Sequence, residues 1–91
     1  MAEITCEGNG ILARYYETET ERVLVFEHEG RSATIAQNRY GYAMLMVRVT
    51  PTGTELERYY GFDMAIDHAA ELLNTDPTRL PIPADARDMG M

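Results

Sequence analysis

The chain of 91 residues has no lysine and no tryptophan, one cysteine and one serine. Each scarcity removes a class of explanation. A lone cysteine, Cys6, excludes an internal disulfide framework and fits a reducing compartment. The lone serine, Ser32, follows a turn and sits in no G-x-S-x-G elbow, so hydrolase chemistry has no motif. P-loop, G-x-G-x-x-G and metal-spaced Cys/His clusters are also missing. No apolar run approaches the ~20 residues that a membrane helix needs. The opening MAEITCEGNG lacks the basic and apolar regions of a signal peptide. The expectation is a cytoplasmic, non-catalytic protein with no cofactor and no membrane contact. Arginine supplies all eight cations. Arginine without lysine points to a GC-rich genome or a salt-rich habitat rather than to a function.

Acidic residues are abundant. The formal charge is -7 and the pI about 4.6. Such a surface repels a nucleic-acid backbone, which binds through cations. The charge is uneven: residues 1–30 hold seven acids and two arginines, and residues 62–91 hold six and two. Between them, residues 31–61 hold two acids and four arginines, a mildly basic band that also contains Tyr40, Tyr42, Tyr59 and Tyr60.

Turn residues divide the chain into short pieces. Gly8-Asn9-Gly10 and Glu29-Gly30 read as turns, because Gly and Asn tolerate positive φ. Strands are expected over 2–6, 11–18, 22–28, 32–37, 42–50 and 55–60 from β-branched and aromatic content. Pro51-Thr52-Gly53 closes a hairpin whose register is contested. Hydrophobic patterning pairs Val49 with Leu56 and Arg48 with Glu57, whereas the turn chemistry prefers a different offset. A bulge near Thr54 would reconcile them.

Residues 62–74 carry one apolar stripe, Phe62, Ala65, Ile66, Ala69, Leu72 and Leu73, at helical spacing. Asn74 and Pro77 end that helix. The fold class is therefore α+β: an antiparallel sheet of five or six short strands with one amphipathic helix on a face. Closure into a small barrel is the alternative. Residues 1–80 form the domain, and 81–91 read as an extended, partly flexible tail.

Opposite the apolar stripe lie Asp63, Asp67, His68 and Glu71. A histidine and a carboxylate three apart can reach one ion, so His68, Asp67 and Glu71, with His28, are the candidate metal ligands. The favoured reading is a solvated helix face with no metal, because one helix supplies too few donors.

Tyrosine and arginine dominate protein-binding hot spots. Arg39, Tyr40, Tyr42, Arg48, Arg58 and Tyr59 are thus the candidate partner-binding residues, unless the arginines only pair with nearby glutamates. The strands at 22–28 and 42–49 are apolar on both faces, which suggests a covered second face and a homodimer. The leading expectation is an interaction module for an unidentified protein partner. An acidic nucleic-acid mimic that blocks a nucleic-acid-binding protein is the alternative. A metal- or small-ligand site on the helix face comes third.

Overall fold

Two tight turns set the geometry of the sheet. Asn9 and Gly10 hold φ of 55° and 77°, and Glu29 and Gly30 hold 50° and 78°. Two consecutive positive-φ residues make the turn whose twist matches that of antiparallel strands. The first turn joins β1 (Ile4–Gly8) to β2 (Ile11–Glu17). The second joins β3 (Glu21–His28) to β4 (Arg31–Asn38). Thr18 closes the link between β2 and β3, its Oγ1 accepting from the Glu21 amide at 3.0 Å. β5 (Leu45–Arg48) and β6 (Glu55–Tyr59) complete the sheet. The structure, a computed structural model, describes residues 3–40 and 44–89. The expected strand 42–50 is shorter in its described part, and residues 42 and 43 lie outside the described residues.

All neighbours are antiparallel, in the order β1-β2-β3-β4-β5-β6. The sheet is open, with β1 and β6 as its edges, which corrects the barrel alternative. Closure would require those two strands to pair. Instead, a helix and the C-terminal segment fill the inner face between them.

Side chains alternate across the sheet. Ile11, Ala13, Tyr15, Leu24, Phe26, Ala33, Ile35, Leu45 and Val47 point inward and are buried. The helix α1 (Phe62–Leu73) lays Ala65, Ile66, Ala69, Ala70 and Leu73 on them, resting chiefly on β4 and β5. It stops where Asn74 turns left-handed at φ 58°, its amide donating to the Glu71 carbonyl at 3.1 Å. Asp76 then caps a single 3₁₀ turn at Pro77–Arg79, accepting from the Thr78 amide at 2.9 Å.

The chain next returns to the inner face. Leu80, Ala86 and Met89 join the core beside Ile4 and Cys6. Residues 81–83 run extended, but the expected extended tail then coils into a 3₁₀ turn at Ala84–Ala86 and further turns to residue 89, which carries Ala86 and Met89 into the core. Arg22 anchors them. It donates to the Asp85 carbonyl at 2.9 Å, to the Tyr15 phenol at 2.8 Å and to the Asp88 carboxylate.

The outer face carries an apolar row of its own. Val23, Val25, Ala36 and Met46 point away from α1, yet none is more than 4% exposed. Arg48 on β5 reaches across β4 to Glu21 on β3 at 2.7 Å. Arg14 lies between Glu3 and Glu27, at 3.5 and 3.4 Å.

The last hairpin changes register part-way along, between Val47 and Arg48. Leu45 faces Tyr59, Met46 faces Arg58, Val47 faces Glu57, and Arg48 then faces Glu55. Leu56 is the extra residue, so the bulge sits there rather than near Thr54. The expected pairs Arg48–Glu57 and Val49–Leu56 do not form. The turn holds its own geometry, with Gly53 donating to the Thr50 carbonyl at 3.1 Å. The inward pair Leu45–Tyr59 sets the other end, and the bulge absorbs the odd residue between them. Among the described residues, no helix is long and apolar enough to cross a membrane.

Candidate interaction surface

Folding separates the residues of the Arg/Tyr band. Arg39 stands at the end of β4, exposed, and donates to the Thr18 carbonyl at 2.8 Å. Its guanidinium is 3.8 Å from Glu17 and 5.7 Å from the Tyr40 ring centroid. Tyr40 is 71% exposed. Tyr42 lies outside the described residues. Arg48 belongs to the roof of the outer face and also donates to the Pro51 carbonyl at 2.9 Å. Arg58, exposed on the outer face, pairs with Glu55 at 2.7 Å. That hydrogen bond lowers the Glu55 carboxyl below its ordinary value. Tyr59 points to the opposite face, toward α1. Two arginines of the basic band, Arg39 and Arg48, are therefore matched by glutamates from the N-terminal segment and Arg58 by Glu55 of its own strand, and the described residues of the band form no single patch.

Tyr59 meets the polar ridge of the helix. Its Oη and the His68 Nδ1 are hydrogen-bonded at 3.0 Å, with the rings edge-to-face at 5.8 Å. Beside them runs an open groove of about 510 Å³, bordered by Met64, Asp67, His68, Glu71 and Pro77. Burial raises the Tyr59 phenol pKa, and the nearby charges of Glu57 and Glu71 push it further up. The groove is thus locally negative. His68, Asp67 and Glu71 share it, as their spacing predicted.

His28 does not join them. It lies at the β3–β4 turn, its Nδ1 3.1 Å from the Gly10 carbonyl and its Nε2 3.5 Å from Glu29. A second groove, of about 460 Å³, surrounds it together with Glu7, Glu27 and Arg31. Among the described residues, no group of three His, Cys, Asp or Glu side chains is placed to hold a metal ion.

The open edge of β6 completes the surface. Among the described residues β6 pairs only with β5, and its residues Glu55, Leu56, Glu57 and Arg58 are all exposed. Three large apolar side chains on β6, just after it and in the first turn of α1 are exposed: Leu56 is 45% exposed, Tyr60 76% and Met64 57%. Leu56 and Met64 were not among the candidate binding residues read from the sequence, and Tyr60 was noted in the Arg/Tyr band without being named as one. The signal was present. The segment ELERY carries three charges in five residues, as a protected edge strand does, and Met64 interrupts the polar face of its helix.

No curated protein and no solved structure matches the chain. Its match to a family model covers residues 5–91, and the chain belongs to that family, a family of unknown function designated DUF7111.

Proposed function

We propose that the protein is a small, non-catalytic interaction module that binds a partner protein at the β6 side of its sheet. The observation that carries this reading is the unpaired edge strand with exposed Leu56, Tyr60 and Met64 around it. Aromatic and methionine side chains exposed together are typical of binding surfaces. The groups that catalysis would draw on are engaged elsewhere. Ser32 Oγ donates to the Val49 carbonyl at 2.9 Å, and the two histidines lie in different grooves. A single free thiol, Cys6, fits a cytoplasmic setting. Self-association through the outer face ranks lower, because the apolar centre of that face is already buried within one chain.

The nucleic-acid mimic rests on Asp63, Asp67 and Glu71, three exposed acids four residues apart. Their helical rise is about 6 Å per charge. A DNA strand places one phosphate per roughly 3.4 Å of axis. The ridge has about half that density, which favours the interaction module.

The test is affinity capture from the native host's lysate, with and without nuclease. A stoichiometric protein partner that survives nuclease and is lost on Tyr60→Ser with Met64→Ser supports the module. Recovery of the chain alone overturns it. A partner displaced by added DNA moves the reading to the mimic.

A further inference from the structure

We propose that the outer edge of β6 accepts an extended, cation-bearing segment of a protein partner as a seventh strand, with its basic side chains held against Glu57, Asp67 and Glu71. The inference rests on the interaction reading above and names the site and the partner's chemistry.

An edge strand presents unpaired backbone N–H and C=O groups, a template for another strand. Proteins usually defend such an edge, and β6 carries two defences: the bulge at Leu56 and the charges of Glu55, Glu57 and Arg58. These charges act differently on different partners. A second copy pairing antiparallel about Glu57 would set Glu57 against Glu57, and like charges directly opposite destabilise a sheet. A basic strand meets the reverse situation.

The acids are not equivalent. Glu55 is occupied by Arg58. Glu57, Asp67 and Glu71 have no arginine partner among the described residues. Glu57 shares its face with Val47, so it stands on the same side of the sheet as α1. Asp67 and Glu71 border the groove beside Tyr59. The strand carboxylate and the two helix carboxylates thus lie on the same side of the sheet. The exposed Met64 and Leu56 supply apolar contact for the alternate residues of an incoming strand. Backbone pairing gives the extended shape, and the acids select the sign of the charge.

The probe is a short synthetic peptide alternating Arg with Val, titrated into the full-length, isotopically labelled chain and followed by amide shifts and hydrogen exchange. Two control peptides accompany it, one with Glu replacing Arg and one N-methylated at alternate amides. The expected result is exchange protection of β6 amides and shifts confined to residues 55–59 and 64–71. Binding should weaken roughly tenfold or more in the triple variant Glu57→Lys, Asp67→Lys, Glu71→Lys. It should weaken further with added salt, and the triple variant should gain affinity for the Glu peptide. Equal binding of the N-methylated peptide overturns the inference, since charge alone would then suffice. Shifts mapping to another surface, or no binding by the Arg peptide, overturn it equally. A lysate partner retained by the triple variant and not displaced by the peptide sinks this inference while leaving the interaction reading intact.

Discussion

Thr34 sits at the centre of the outer face, fully buried, and its Oγ1 has no hydrogen-bond partner among the described residues. Its cross-strand neighbour is Arg48, whose guanidinium is committed to Glu21 and Pro51. A buried hydroxyl left unpaired opposes folding, whereas a methyl of the same shape does not. Thr34→Val is therefore expected to stabilise the protein by about 1 kcal/mol. The measurement is the urea midpoint at unchanged slope. A lower midpoint would mean that the hydroxyl has a partner. Position 34 shows the limit of local reading: a threonine in a strand looks ordinary until its neighbours are known.

At the level of the element, the turn between β3 and β4 is strained at one residue. Glu29 adopts φ 50°, a region disfavoured for side chains with an ordinary Cβ, and it is exposed. The matching position in the first turn is Asn9, which tolerates that region. Glu29→Asn should raise stability by about 0.5–1 kcal/mol without moving either strand. Thermal unfolding of the variant beside the parent decides it. An unchanged or lower Tm would show that the 3.5 Å contact between Glu29 and His28 outweighs the strain.

Across the whole molecule, the C-terminal segment and the ion pairs decide stability. Met89 is fully buried against the inner face. Met89→Ala should cost ~2–5 kcal/mol, measured by denaturant unfolding, and a change below a few tenths would place the segment outside the core. Acid should also destabilise the fold. A hydrogen bond from Arg22 holds Asp88 below its ordinary value of 3.8, and one from Arg58 holds Glu55 below 4.5. Hydrogen bonds from the Thr78 hydroxyl and amide lower Asp76 likewise. These depressed values mean that the stabilisation is fully present above the ordinary values. It is lost as the pH falls below them and through the folded-state values. Urea midpoints should thus decline below pH 4.5 and more steeply below 3.8, and Asp88→Asn should remove part of that slope. An identical slope in the variant would show that the Arg22–Asp88 pair contributes nothing.

How much of this was legible in the chain follows from the range of each signal. The turns at Asn9-Gly10 and Glu29-Gly30, the helix from Phe62 and its end at Asn74 are specified by backbone preferences and side-chain period within a few residues. The α+β class and antiparallel order follow from those short pieces, since tight turns pair successive strands. The family match adds no function to that reading. Other features depended on which strands become neighbours. Arg48 and Glu21 are 27 residues apart and meet only because β4 lies between their strands. Arg22 holds Asp88, 66 residues away. Arg39 and Arg48 of the basic band were matched by distant glutamates, and the proline-spaced C-terminal segment became core because the inner face near β1 and β2 needed cover. Local conformation is encoded in each residue's own φ, ψ and period; the choice of partner is made by topology, and it left the edge of β6 as the open surface.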